Sequence, residues 1–263
     1  MARFDPQYIA AYYDEYAERE LARWQTGPAS RMQHAIYLHH LHRRIRAGNA
    51  VLDAGCGPGV FARSLLELGA EVTCLDLSPV QLEACRRLAP GAKRYELGSI
   101  TDLGRFRDDT FDVSLALGGS VSYCFERAPD AITELARVTR PGGAIGLSVM
   151  NLFGSLHRFM PAVLRAPARV NRNILATGDL ERDTNERHEC HLFQVEELRD
   201  LLVTAGLTEI ELFAHGWLVA NDELDIPASG TEDWDLLLDA ELRASRESPG
   251  AGTHIIAWAR VPS

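Results

Sequence analysis

The chain has 263 residues, with 27 basic residues against 37 acidic ones and a formal charge of -10. That length fits one large domain, or a core domain that carries an inserted cap. Hydrophobic residues make up 46% and charged residues 24%, which excludes disordered, collagen-like and disulfide-scaffold proteins. The acidic balance argues against general nucleic-acid binding and against a basic membrane-surface protein, because both need clustered positive charge.

The cysteines and the N-terminal sequence indicate where in the cell the protein is expected. Five cysteines occur, an odd number without a CxxC pair, which is typical of reduced thiols and not of a disulfide or zinc framework. The N-terminus is too polar and acidic for a signal peptide. No apolar run approaches the roughly 18 residues that a membrane-spanning helix needs. We therefore expect a soluble, cytoplasmic protein without a metal site or a membrane partner.

Helical periodicity comes first along the chain, over residues 7–46 with a break at 26–28. Strand and helix patterns then alternate as far as residue 150. We predict strands at 50–53, 71–76, 93–97, 111–117 and 143–150, and helices at 60–68, from 78 onward and at 129–139. This alternation predicts an α/β fold with a doubly wound parallel sheet, in which ligands bind at the carboxyl ends of the strands.

After Met150 the alternation stops, since residues 151–192 contain helical fragments but no clear strand. A helix at 194–205, strands at 207–213 and 254–261, and a helix near 234–246 follow. A long segment at the carboxyl end of a strand is most simply a cap over a ligand site. We therefore divide the chain into an N-terminal helical lid (1–48), a nucleotide-binding core (49–150), an inserted cap (151–192) and the C-terminal part of the core (193–263).

The most informative motif is the glycine-rich turn after the first strand, which reads Asp-Ala-Gly-Cys-Gly-Pro-Gly over residues 53–59. Glycine lets a backbone approach a ligand closely because it has no Cβ and tolerates positive φ. Asp76, at the end of the second strand, can accept hydrogen bonds from a ribose diol. A dinucleotide-binding fingerprint would need a third glycine where Val60 stands.

This turn resembles the first motif of class I S-adenosylmethionine-dependent methyltransferases. Residues 111–119 resemble the family's fourth motif, and residues 135–143 resemble the segment before its fifth strand. The resemblance covers about residues 50–150. It implies a Rossmann-like seven-stranded sheet with the last strand antiparallel, S-adenosylmethionine as cofactor, and methyl transfer to O, N, S or C of a small-molecule acceptor. A tRNA or other RNA methyltransferase, or a protein that binds the cofactor without transferring methyl, remain as alternatives.

The same resemblance assigns cofactor contacts. Asp53 would help to hold the amino group of the methionine part, Asp76 would bind the ribose hydroxyls, and Leu77 would lie against the adenine. An N-terminal tyrosine would cover the methionine part, although a tyrosine stripe at helical spacing also fits plain packing. The complete implied set is Tyr13, Tyr16, Asp53, Gly55, Cys56, Gly57, Gly59, Asp76, Leu77, Gln81, Ser99, Ile100 and Leu117.

Methyl transfer depends mainly on alignment and water exclusion, and needs a base only when the acceptor is protonated as it attacks. The candidates are His188 and His191, where the chain returns from the cap, and Tyr123 just after the fourth motif. The histidines could instead be solvated or packed, or could bind a metal with Cys190.

Charge within the cap bears on the substrate. Residues 151–178 contain no acid and four arginines, which are Arg158, Arg165, Arg169 and Arg172. An arginine fork can grip a carboxylate or phosphate, so an anionic acceptor is one hypothesis. The other is a solvated basic helix face. By contrast, residues 221–247 hold nine acids against two arginines, so the acidity of the chain is concentrated there.

Overall fold

A computed structural model describes residues 3–182, 188–220 and 225–263, with only the backbone of residues 25 and 26. Its helices are α1 (Pro6–Thr26), α2 (Pro28–Arg44), α3 (Val60–Glu67), α4 (Pro79–Leu88), α5 (Ala128–Val138), α6 (Leu152–Arg158), α7 (Met160–Arg165), α8 (Ala168–Thr177), α9 (Val195–Thr204) and α10 (Glu232–Glu247). Its strands are β1 (Ala50–Ala54), β2 (Glu71–Asp76), β3 (Arg94–Leu97), β4 (Phe111–Ala116), β5 (Thr139–Met150), β6 (Asp179–Leu180), β7 (Cys190–His191), β8 (Thr208–His215) and β9 (His254–Arg260).

The main sheet has seven strands in the order β3-β2-β1-β4-β5-β9-β8. Strands β1 to β5 pair in parallel, whereas β9 runs antiparallel to both β5 and β8. The Rossmann-like sheet with an antiparallel last strand is therefore confirmed. The strand order reverses between β1 and β4, and ligands of open α/β sheets bind at the carboxyl ends of the strands at such a point.

The two N-terminal helices differ in burial. α1 begins after Asp5, whose side chain accepts a hydrogen bond from the Tyr8 amide, with proline in the first turn. α2 is a core element, because Met32, Ile36 and Leu41 are fully buried. Residues of α1 line one cavity at the carboxyl edge of the sheet, and residues of α2 line a second one.

The cap consists of α6, α7, α8 and a short hairpin in which Asp179–Leu180 pairs with Cys190–His191. No strand was expected there, because two-residue strands are too short to show an alternating pattern. Residues 183–187 of the expected cap lie outside the described residues. Gly178 ends α8 at φ +77°, a backbone conformation that favours glycine.

Two further elements depart from the sequence pattern. A 3₁₀ segment spans Ser120–Arg127, and β5 begins at Thr139 instead of residue 143. The register with β4 shifts between Phe111 and Val113, so the residues around Pro141 bulge without ending the strand. Among the described residues, no helix combines the length and the apolar character needed to cross a membrane.

Candidate functional site

A first cavity, of about 110 Å³, lies at the carboxyl ends of β1, β2 and β4, beneath α1. It is the place where the strand order reverses. The implied cofactor residues that line it are Tyr13, Gly55, Cys56, Gly57, Asp76, Leu77, Gln81, Ile100 and Leu117. Tyr123, a candidate for the chemistry, lines it as well.

The three glycines of the turn all have positive φ, but they serve different purposes. A Cβ at Gly55 would lie 2.6 Å from the Cβ of Ser120, and one at Gly59 would lie 2.8 Å from the Cys85 sulfur. A Cβ at Gly57 would meet no atom nearer than 4.0 Å. Protein packing therefore requires the outer two glycines, whereas Gly57 leaves open space facing the cavity.

Asp76 is held firmly at the cavity wall. Its Oδ2 accepts a hydrogen bond from the Gly57 amide at 2.8 Å, and its Oδ1 accepts one from the Ser78 amide at 2.9 Å. Burial raises the pKa of this carboxyl to about 6, although the backbone hydrogen bonds oppose that shift. One side chain thus joins the glycine turn to the start of α4 and faces the cavity.

Gln81 connects the cavity wall to its cover. Its Nε2 donates to the carbonyl of Tyr13 at 3.2 Å, and its Oε1 is buried with no hydrogen-bond partner. A buried acceptor without a partner is costly, so it marks a place where a ligand donor would fit. Ser78 helps to fix α1, because its hydroxyl donates to Asp14.

Asp53 lies on β1 behind the turn, outside the cavity lining. Its side chain is 1% exposed, and neither carboxylate oxygen has a hydrogen-bond partner. Burial raises the pKa of this carboxyl to about 8, and the nearby Cys85 and Asp76 add to the shift. Folding therefore favours the protonated form of Asp53.

This burial predicts a pH-dependent stability. A carboxyl whose pKa is raised in the folded state stabilises fully below its unfolded value, near 4, and that stability is lost as the pH rises toward 8. We expect the melting temperature of the ligand-free protein to fall across that range, and Asp53→Asn to flatten the fall. Asp235→Asn, at an exposed position of α10, is the control and should keep the wild-type slope. A slope that Asp53→Asn leaves unchanged would contradict the assignment.

Three thiols gather beneath the turn, a feature that sequence spacing did not reveal. The sulfurs of Cys56, Cys74 and Cys85 lie within 4.8 Å of one another. They come from the turn, β2 and α4, so no CxxC spacing marks them. All five cysteines are free and buried.

Two further implied cofactor residues also lie outside the lining, as does Gly59, which faces Cys85. The Tyr16 ring stacks on Tyr12 with centroids 5.8 Å apart. The Ser99 hydroxyl lies 2.7 Å from the Thr101 hydroxyl. Their assignment to the cofactor stays a prediction.

Glu20 is a cavity residue that the sequence did not indicate. Its carboxylate pairs with the Arg23 guanidinium at 2.6 Å and accepts a hydrogen bond from the Trp24 indole at 2.9 Å. Glu20 and Trp24 line the first cavity, whereas Arg23 lines a second one. A single carboxylate on a tyrosine-rich helix carries no motif, so only the fold could place it.

The second cavity, of about 430 Å³, lies between the cap, α2 and the ends of β5 and β9. Its wall is mainly apolar. The apolar side chains include Met150, Leu156, Phe159, Val163, Val170, Ile174, Leu180 and Leu192. Among the four cap arginines only Arg158 lines it, and Arg23 is the other cation at its wall. A mainly apolar cavity with a few polar groups is typical of small-molecule sites.

Tyr123 and His188 join the two cavities. The Tyr123 hydroxyl lies 2.8 Å from Nε2 of His188, and Tyr123 lines the first cavity while His188 lines the second. Burial raises the pKa of Tyr123 and lowers that of His188. His188 is therefore neutral at pH 7 and able to accept a proton.

His191, the other histidine candidate, lines neither cavity. Its Nδ1 lies 2.8 Å from Asp179 and its Nε2 lies 2.7 Å from Glu197. Burial lowers the pKa of His191, but the hydrogen bonds to Glu197 and Asp179 outweigh it and raise the pKa overall. Both ring nitrogens are engaged, so this geometry uses His191 to anchor the cap hairpin to α9.

Comparisons with known proteins point to one family. Residues 52–147 match the family described as "Methyltransferase domain". A malonyl-[acyl-carrier protein] O-methyltransferase of Erwinia billingiae is 41% identical over 129 residues, which are 48% of this chain and 49% of that protein. A ubiquinone biosynthesis O-methyltransferase of Xanthomonas euvesicatoria is 30% identical over 148 residues, covering 52% and 60%. The chain thus spans about half the length of these curated relatives.

The fold resembles that of solved structures over nearly the whole chain. A SAM-dependent methyltransferase structure from Thermotoga maritima covers 96% of this chain and 99% of its own, with a TM-score of 0.62 and 16% identity. At that identity the likeness shows a shared fold, which includes the regions outside residues 52–147.

Proposed function

We propose that this chain, whose residues 52–147 match the family described as "Methyltransferase domain", transfers a methyl group from S-adenosylmethionine to a small-molecule acceptor. The observation that carries the proposal is the pair of adjoining cavities joined by the Tyr123–His188 hydrogen bond. The first cavity holds the cofactor and the second holds the acceptor. Because the matched relatives are named O-methyltransferases, we propose an oxygen acceptor.

The residues of the first cavity suit the cofactor. Asp76 offers ribose hydroxyls a fixed carboxylate, and the open space at Gly57 leaves room for a ligand beside the turn. The unpartnered Oε1 of Gln81 offers an acceptor for a ligand donor. When bound, S-adenosylmethionine supplies an electrophilic methyl group on a cationic sulfonium.

The acceptor side supports alignment with proton removal. The apolar wall excludes water, which favours an aligned displacement. For a hydroxyl acceptor, the Tyr123 oxygen accepts the acceptor's proton while its own proton passes to Nε2 of neutral His188. Arg158 gives the cavity wall a positive charge, whereas the charge of Arg23 is paired with Glu20, so we propose an acceptor that carries an anionic group.

RNA is a poorer fit to this cavity than a small molecule. RNA recognition requires cations along an open track and stacking surfaces for splayed bases, whereas this wall is mainly apolar. The buried free thiols agree with a reducing compartment, so we also propose a cytoplasmic location.

Glu20 gives a test of which charge the first cavity recognises. Its carboxylate attracts the cationic cofactor more strongly than the uncharged sulfur of S-adenosylhomocysteine. Glu20→Gln removes that attraction and leaves Arg23 unpaired, so we expect affinity for S-adenosylmethionine to fall about tenfold more than affinity for the product. Calorimetry with both ligands measures the difference, and Glu18→Gln, exposed on the same helix, is the control. Equal losses for both ligands would refute the charge argument.

The reaction itself is tested with labelled cofactor. Protein incubated with methyl-labelled S-adenosylmethionine and a metabolite extract should transfer label to a small molecule. The same extract digested with ribonuclease should give an undiminished signal. Binding of S-adenosylhomocysteine without transfer to any extract would instead favour a cofactor-binding protein that does not methylate.

A further inference from the structure

The cap exposes several large apolar side chains. Ten large apolar side chains are exposed among the described residues, and half of them lie within residues 152–177. These are Phe153, Phe159, Met160, Leu164 and Leu175, which we call the cap patch. Helix α7 buries none of its residues. Exposed apolar side chains gathered in one segment mark an interaction surface more often than isolated ones do.

Positive charge accompanies the patch. The cap carries Arg158, Arg165, Arg169 and Arg172, and residues 151–178 contain no acid. Within the described ranges, none of the four forms an ion pair. A segment with four uncompensated positive charges therefore stands on a chain whose formal charge is -10.

The acceptor cavity accounts for only some of these side chains. Ala162, Val163 and Ala166 turn toward the cavity, whereas Leu164 and Leu175 do not line it. Leu164 is 78% exposed. Phe159 is exposed and also lines the cavity. Arg158, one of the four cap arginines, lines the cavity as well. One member of the cap patch, Phe159, therefore also lines the acceptor cavity.

We propose that the cap patch binds the surface of an anionic membrane. Short helices that mix large apolar side chains with arginines insert the former at the headgroup boundary and place the latter on lipid phosphates. The cytoplasmic leaflet is anionic, which complements the charge of the cap. A partner helix would need a groove to dock in, whereas α7 offers exposed side chains and buries none of its residues. An amphiphilic acceptor dissolved in the bilayer would then meet the cavity rim directly.

Vesicle sedimentation tests the proposal without cofactor or acceptor, so its outcome does not depend on the proposed reaction. We expect wild-type protein to sediment with mixed phosphatidylglycerol–phosphatidylcholine vesicles, and less with pure phosphatidylcholine. Leu164→Asp should lower partitioning roughly tenfold, and Arg165→Glu with Arg169→Glu should do the same. Added salt should weaken binding by screening the arginines.

The matched control substitutions lie in α10, within the acidic segment at residues 221–247. Leu236→Asp and Arg243→Glu alter exposed positions of α10, where Leu236 is 67% exposed, and should leave binding unchanged. Melting temperatures check that each variant is folded. The proposal is overturned if the wild-type protein does not bind anionic vesicles, or if the α10 variants lose as much vesicle binding as the cap variants. It is also overturned if the cap binds an acidic protein and not the vesicles.

Discussion

Asp76→Ala is expected to weaken S-adenosylhomocysteine binding at least about 100-fold. The carboxylate accepts hydrogen bonds from the Gly57 and Ser78 amides and faces the cavity. Its removal leaves both amides without this partner and removes the acceptor proposed for the ribose. Hydrogen bonds to a charged group contribute about 1.5–3 kcal/mol each, so the loss of the bonds proposed from the two ribose hydroxyls reaches this size.

Calorimetry measures the change, and two further variants separate binding from folding. Asp102→Ala removes a carboxylate that also accepts from a backbone amide, that of Gly104, but lies outside the cavity lining. It should bind the ligand normally. Asp76→Asn keeps one acceptor oxygen and should fall between wild type and Asp76→Ala. Unaltered affinity in a folded Asp76→Ala protein would remove the main support for the cofactor assignment.

The nucleotide-binding half of the molecule could be predicted because its signals are local. The turn at residues 53–59 needs glycines at fixed offsets, β1 is a short apolar run that leads into it, and β2 is a second short strand that ends at Asp76. The first cavity is built where these local elements end, so motif residues such as Gly57 and Asp76 reach it. Sequence pattern and position in the fold therefore coincide there.

The acceptor side could not be predicted in the same way, because distant segments make it. Its wall joins α2, the ends of β5 and β9, and the cap. His188 and His191 lie close together in the sequence, and both were candidates for a base. In the fold their side chains lie in different environments. Only His188 reaches a cavity, whereas His191 is held by Asp179 and Glu197. Glu20 and Arg23 likewise line the cavities only because of the position of α1 in the fold.

Tyr123→Phe and His188→Ala are each expected to lower kcat about 100-fold on a hydroxyl acceptor, the usual size of a general-base contribution. Tyr123→Phe keeps the ring that lines the first cavity, so affinity for S-adenosylhomocysteine should change little. Kinetics with the acceptor found in the labelling experiment measure the effect. His157→Ala, exposed on α6 of the same cap, is the control and should keep wild-type kcat.

The double variant and the pH profile decide whether the two residues act together. If the proton passes through the 2.8 Å hydrogen bond, breaking either end disables the path, so Tyr123→Phe with His188→Ala should be hardly slower than either single variant. Because burial lowers the pKa of His188, kcat should stay level around neutrality and fall only below pH 6.5, where the imidazole takes up a proton. Full activity in both single variants would mean that alignment alone drives transfer, while multiplicative losses would mean that each residue acts on the acceptor separately.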